Sequence, residues 1–224
     1  MSTVLVIGAS RGIGLEFVRQ YTADGARVIG TVRKDEDAAK LRGLGAKPLL
    51  LDVLDEATVG GFGEQLHGEK LDVAIVNAGV YGPRTSAIAA PGGLDFDQVM
   101  HTNVRAPMQL IPQLLPGLAA AAGKLALVSS RMGSLSLMSS TSGWLYRASK
   151  AAANAALRAA SLELGPHGIV CIAFHPGWVR TEMGGAGADI DAATSVAGMR
   201  RVLAAANASQ NGKFLNFNGE QLSW

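Results

Sequence analysis

A short apolar run, Val4-Leu5-Val6-Ile7, breaks into Gly8-Ala9-Ser10-Arg11-Gly12-Ile13-Gly14, and an amphipathic run over residues 15–22 follows. Four apolar residues in succession predict a strand buried on both faces, as in a parallel sheet. The glycines then have separate duties in a dinucleotide fold. Gly8 permits the tight turn, Gly12 lets a pyrophosphate approach the backbone, and Gly14 lets the helix pack close on the strand. The helix N-terminus offers free N–H groups and a positive dipole end to phosphate. A plain glycine-rich turn is the competing reading, and the strand–turn–helix order argues against it.

The same alternation runs down the chain. Further strands are predicted at residues 27–32, 47–51, 71–76, 124–128, 168–174 and 213–217. Helical patterns cover residues 35–44, 56–66, 94–115, 146–164 and 191–207, with Gly60-Gly61 interrupting the second, and Pro107 and Pro112 the third. A mid-helix Asn103 beside those prolines predicts a bent helix with freed backbone groups, suited to holding water. Alternating βα units predict a Rossmann-like doubly wound α/β fold. Its sheet would have seven parallel strands, with helices on both faces and the site at the carboxyl ends of the strands. No linker or fixed-period repeat divides the 224 residues, so residues 1–224 are expected to form one nucleotide-binding domain.

Composition narrows the classes. The chain is 48% hydrophobic and only 17% charged, which favours a large core over disorder. Its net charge of +2 comes with no basic run, so no nucleic-acid partner is expected. No apolar run reaches the roughly 20 residues of a membrane span. The first strand begins almost at once, which leaves no room for a signal peptide and predicts a cytoplasmic protein. The lone Cys171 lies in an apolar run and reads as a buried, inert thiol. No metal site is expected.

Two strand ends carry the cofactor argument. In a dinucleotide fold an acid usually ends the second strand and grips the ribose hydroxyls of NAD. Here Arg33 and Lys34 stand instead, and with Arg11 they would accept a 2′-phosphate, favouring NADP(H) over NAD(H). They would otherwise simply open a solvated helix. Asp52-Val53 ends the third strand, where the acid either bonds the adenine amino group or caps the next helix in competition with Asp55. Asn77-Ala78-Gly79 ends the fourth, with small residues that would let a ribose lie against the backbone.

Tyr146 and Lys150 stand four residues apart at the head of a helix, on one face. An ammonium beside a phenol favours the phenolate and is expected to lower its pKa toward the range useful for acid–base chemistry. Alone, the spacing is weak evidence, since most such pairs are solvated helix neighbours.

Taken together, Gly8-x-x-x-Gly12-x-Gly14, Asp52-Val53, Asn77-Ala78-Gly79, Asn103, Ser130, Tyr146-x-x-x-Lys150 and Pro176-Gly177 resemble a short-chain dehydrogenase/reductase of the compact single-domain branch. The likeness covers essentially the whole chain. The stretches at residues 129–134, 146–150 and 175–179, with the terminal 217–224, are similar to its subgroup of C-factor and sniffer-like carbonyl reductases. The resemblance implies that Tyr146 is the general acid in carbonyl reduction, and that Lys150 tunes it and holds the nicotinamide ribose. It implies that Ser130 polarises the substrate carbonyl and that Asn103 holds a water extending the relay from Lys150. Cofactor contacts are implied for Gly8, Ser10, Arg11, Gly12, Ile13, Gly14, Arg33, Asp52, Val53, Asn77, Ala78 and Gly79. Tyr146, Lys150, Pro176, Gly177, Val179 and Thr181 complete that set.

Ile7 and Val76 depart from the family's usual Thr and Asn. The Ser-rich loop ahead of Tyr146 is longer than usual, which leaves Ser129 and Ser134 as alternatives to Ser130. Trp144, Trp178 and Met183 either line the substrate mouth or simply pack. The expected partner is a small carbonyl or alcohol substrate, and the Ala-rich helix favours a homo-oligomer, dimer or tetramer. A signalling or sensor protein on the same fold is the alternative function, though such a protein would be expected to lose Tyr, Lys or Ser. A sugar-nucleotide epimerase would want a longer chain.

Overall fold

The computed structural model describes residues 1–224. Seven strands form one sheet: β1 (Thr3–Ile7), β2 (Arg27–Val32), β3 (Lys47–Leu50), β4 (Val73–Val76), β5 (Lys124–Val128), β6 (Val170–His175) and β7 (Lys213–Asn216). Their order is β3-β2-β1-β4-β5-β6-β7, with every pair parallel. The order reverses between β1 and β4, so the crevice at the topological switch point opens beside the glycine turn.

Alternate strand residues supply two cores. Leu5, Ile7, Leu125, Leu127, Cys171 and Ala173 face one side. The short helices α3 (Glu56–Gly60) and α4 (Phe62–Gln65) cover it, together with the long α6 (Ala106–Ala121) and α7 (Trp144–Leu164). Val4, Val6, Ala126, Ile172 and Phe174 face the other. There α1 (Gly12–Ala23), α2 (Asp35–Gly43) and α8 (Ala192–Ala205) pack. Ile7 and Val76, the two departures from the family pattern, are core residues with essentially no exposure. Cys171 is buried and its thiol is pushed up to about 12 by desolvation.

The region from residue 94 differs from the sequence expectation. Helix α5 (Gly93–Met100) runs into a π-helical turn, His101–Arg105, and then into α6. Helix α6 continues through Pro112 and Pro116 rather than ending near residue 115. The irregularity sits instead one turn before Pro107. A proline has no N–H for the carbonyl four residues back and its ring crowds that group. For Pro107 that carbonyl belongs to Asn103, and the helix widens there. Helix α7 begins at Trp144, two residues before the expected start. The Gly60-Gly61 break falls as expected, between α3 and α4.

Thr31 on β2 links this core to the cofactor side. It is buried, and its hydroxyl accepts the Gly8 N–H at 2.9 Å. Replacing Thr31 by Val keeps the shape but leaves that N–H without a partner. Unfolding stability is expected to fall by about 1–3 kcal/mol, read as a lower denaturant midpoint at unchanged slope; an unchanged midpoint would show that the hydroxyl does not hold the turn.

Candidate active site

The glycine turn is built for close approach. Gly8 adopts φ +86°, and the Asn77 amide donates to its carbonyl at 2.7 Å. A side chain at Gly14 would put its Cβ 2.0 Å from that carbonyl oxygen. Helix α1 starts directly afterwards. Arg11 stands at its N-cap without a side-chain cap, and the first turn carries no acid. Its leading N–H groups are therefore available to an anion, which fits a pyrophosphate. Ser10 and Ile13 flank this cradle, half-buried. Thr181 faces it across the cleft, its methyl 3.3 Å from where a Cβ on Gly12 would sit.

The strand ends divide their work. Arg33 stands exposed just past β2. Arg11 pairs with Glu182 in the loop after β6, both side chains well exposed. Exposed pairs of this kind are worth about 1 kcal/mol or less, so a phosphate can compete for Arg11. Asp52 accepts the Leu54 N–H at 3.0 Å, while Asp55 caps α3 by accepting from Ala57 at 2.9 Å. Asp52 is thus not the helix cap. Asn77 spends its amide on Gly8, which leaves Ala78 and Gly79 as the small surface at the end of β4. Beyond β6, Gly177 turns the chain at φ +86°, the Pro176 carbonyl accepts the Ser195 hydroxyl, and Val179 is buried beside Ile190.

Tyr146, Lys150, Asn103 and Ser130 come together between the ends of β4 and β5, and all four are buried. The Lys150 ammonium lies 5.7 Å from the Tyr146 ring centroid and donates to the Val128 carbonyl at 3.1 Å. A Cβ on Gly79 would lie 3.3 Å from both Lys150 Nζ and Asn103 Oδ1, so these two groups meet at the small surface after β4. The Asn103 amide donates to the Val80 carbonyl at 2.8 Å and to Ser149 Oγ at 2.9 Å, and its oxygen accepts the Val80 N–H. Ser130 Oγ accepts the Met132 N–H at 3.1 Å and lies close enough to the Tyr146 phenol to lower its pKa. Ser129 instead donates to Asn154 at 2.5 Å, and Ser134 to the Ser223 carbonyl at 2.7 Å. Of the three serines, only Ser130 meets Tyr146.

The phenol corrects the sequence expectation. Burial pushes Tyr146 up to about 12, with Ser130 pulling it down and Tyr81 adding to the rise. Burial also holds Lys150 down to about 8. Helix spacing places the amine beside the phenol but does not reveal the loss of water around both, and that desolvation sets the direction of each shift.

Three further residues complete the cluster. Ser149 bridges Asn103 to the Tyr146 carbonyl. Asn154 holds Ser129 and, at 3.4 Å, the Gly133 carbonyl. Tyr81 stacks on Tyr146 at 4.5 Å. Asn154 is readable in retrospect, one further step of four along the Tyr146–Lys150 face; Tyr81 lies in an aperiodic loop with no such signal. Trp144 at the head of α7, and Trp178 and Met183 on the loop after β6, are each partly exposed, at 37%, 52% and 40%.

A glycine turn at a switch point, beside a buried Tyr–Lys–Ser–Asn cluster, defines a nucleotide-dependent α/β oxidoreductase. The chain belongs to the short-chain dehydrogenase family, whose profile, described as short chain dehydrogenase, matches residues 2–189. The C-signal protein of Myxococcus xanthus is 40% identical over 158 residues, covering 69% of this chain and 93% of that one. Among solved structures, the carbonyl reductase Sniffer of D. melanogaster superposes with a TM-score of 0.93 at 29% identity, over 100% of both chains. The NADPH-bound carbonyl reductase from chicken fatty liver gives 0.91 at 33%, covering 100% of this chain and 94% of that one. No helix is long and apolar enough to cross a membrane.

Lys150 sets a pH-dependent stability. Its folded pKa of about 8 lies below the unfolded value of 10.5. Between those values the unfolded chain holds more protons, so stability rises with pH; below about 8 the full burial penalty is present. Lys150→Met should therefore be the more stable protein at neutral pH. At about 1.4 kcal/mol per pKa unit the gain is a few kcal/mol, shrinking as pH passes from 8 to 10.5. Denaturant titrations of both proteins across that range measure it; parallel curves would show that Lys150 is not destabilised by burial.

Proposed function

We propose that the protein is an NADP(H)-dependent carbonyl reductase, moving a hydride between the nicotinamide and a carbonyl or alcohol substrate. Residues 1–224 work as one domain in this reading. The observation that carries it is the buried convergence of Tyr146, Lys150, Ser130 and Asn103 beside the glycine turn. The bound cofactor supplies the hydride. Tyr146 gives its proton to the carbonyl oxygen, and Ser130 donates a hydrogen bond to the same oxygen. The Lys150 ammonium stabilises the phenolate left behind and holds the ribose against Gly79. Both amide hydrogens of Asn103 are engaged, with the Val80 carbonyl and Ser149 Oγ, so a relay water at Asn103 must donate to it. Its backbone carbonyl, which Pro107 deprives of an α-helical donor, offers such an acceptor. A phenol held at about 12 keeps its proton through the neutral range, which suits reduction better than alcohol oxidation.

Cofactor choice rests on Arg33 and Arg11 and on the absence of an acid at the end of β2. The chicken enzyme, solved with NADPH bound, supports it. In this reading the protein works in the cytoplasm as a homo-oligomer. The small residues Ala148, Ala151, Ala152, Ala155 and Ala156, none of them buried, would allow close packing of a second copy.

Tyr146→Phe keeps the ring and removes the proton. Carbonyl reduction should drop by about 10² or more, while NADPH affinity, measured by fluorescence titration, holds. Full activity in this variant would remove Tyr146 from the mechanism. If the parent protein binds NADPH but reduces none of a broad set of aldehydes, ketones and quinones, the signalling reading takes precedence.

Arg33→Asp should move preference from NADPH toward NADH, since a carboxylate accepts the ribose hydroxyls and repels a 2′-phosphate. The ratio of the two dissociation constants reads this directly. A parent protein that binds both cofactors equally would contradict the assignment.

A further inference from the structure

We propose that Tyr81 is a positioning residue for the proton donor, a claim that rests on the assignment of Tyr146 to that role. The two rings stack at 4.5 Å between centroids and 21° between planes. Tyr146 lies in the first turn of α7, at the edge of the cleft, where a ring with one open face has room to swing. Tyr81 closes that face. The substrate must then approach the hydroxyl end of Tyr146, where Ser130 waits, and water is kept from the ring.

Tyr81 is itself held from two sides. The Arg84 guanidinium lies over its ring at 4.9 Å and donates to the Met183 carbonyl at 2.6 Å. At the head of α7, Gly143 leaves space for the Tyr81 hydroxyl: a Cβ there would stand 2.3 Å from the oxygen and 3.0 Å from Cζ. Gly143 also sits at φ +63° and donates to the Thr85 carbonyl at 2.9 Å, and the Trp144 indole donates to Ala89 at 3.0 Å. The loop bearing Tyr81 is thus fastened to the helix bearing Tyr146 beside the stack. Ordinary packing would need neither a cation over the ring nor a missing side chain beneath its hydroxyl.

The test uses the full-length protein with NADPH and 4-nitrobenzaldehyde as the carbonyl probe. Tyr81→Leu fills similar space without a flat face. It should lower kcat by about 10- to 100-fold, the scale of a small misplacement of a reacting group, while KM for NADPH stays unchanged. Tyr81→Phe keeps the face and should retain kcat within about twofold, because the stack does not use the hydroxyl. Gly143→Ala should lower kcat, and part of that loss should return when it is combined with Tyr81→Phe, which removes the clashing oxygen. A readout independent of turnover comes from ring-labelled tyrosine NMR, which is simple in a chain with 3 tyrosines. The Tyr146 ring protons should carry an upfield ring-current shift that survives in Tyr81→Phe and vanishes in Tyr81→Leu. The inference is overturned if the shift is absent from the parent protein. It is also overturned if Tyr81→Leu keeps full kcat while Tyr146→Phe is inactive, a result that leaves the mechanism standing. If Tyr146→Phe itself is fully active, the mechanism and this inference fall together.

Discussion

Parallel pairing puts the carboxyl end of every strand on one edge of the sheet, and everything chemical in this protein depends on that constraint. The glycine turn ends β1, Arg33 follows β2, Asp52 follows β3, Asn77-Ala78-Gly79 follows β4, Ser130 follows β5 and Pro176-Gly177 follows β6. Because β1 lies between β2 and β4, the helices leaving them go to opposite faces, and a crevice opens where they part. The turn at that crevice is held by β2 through Thr31 and by the end of β4 through Asn77. Neither bond is local in sequence. The cradle takes its shape only when the sheet is assembled.

Burial then sets the chemistry. An exposed Tyr and Lys at helical spacing would titrate as ordinary side chains. Here both are inside, each disfavoured in its charged form. The same low-dielectric setting strengthens any charge interaction between them. The protein thus carries a standing cost at Lys150, an ammonium buried with the Val128 carbonyl as its hydrogen-bond partner. Sites that store free energy in this way are destabilised in the resting state, and the surrounding core must hold them. The fully buried Leu157 on α7 and Leu110 on α6 belong to that support, each burial of this kind contributing about 1.5–3 kcal/mol.

Much of this was legible in the sequence, for identifiable reasons. Unbroken apolar runs ending in glycine or small polar residues mark parallel strands, and the predicted strands coincide with β1 to β7 to within two residues at every end. Tyr146–Lys150 is a local spacing on one helix, so it reads directly. What did not read was non-local or solvent-dependent. The direction of the Tyr146 shift depends on water that the fold removes. The choice among Ser129, Ser130 and Ser134 depends on Asn154 and Ser223, far along the chain. The π turn at His101–Arg105 arises from a proline acting on the turn before it, whereas Pro112 and Pro116, of the same residue type, leave the helix running. Proline in a sequence marks a lost hydrogen bond, not how the backbone will absorb the loss.

The site also divides into a fixed side and an exchangeable one. Lys150, Asn103, Ser149, Ser129 and Asn154 are buried and bonded to one another or to backbone within one packed wall. Across the cleft, the segment at Glu182 and Met183 is held by Arg11 to Glu182 and by Arg84 to a backbone carbonyl, all exposed contacts. Exposed pairs hold little free energy and are screened by salt. An anion at Arg11 would displace only that exposed pair, at small cost, without disturbing a buried bond. The wall that carries the Tyr–Lys cluster is the one folding makes expensive to move, whereas the facing wall is fastened by exposed contacts that cost little to release.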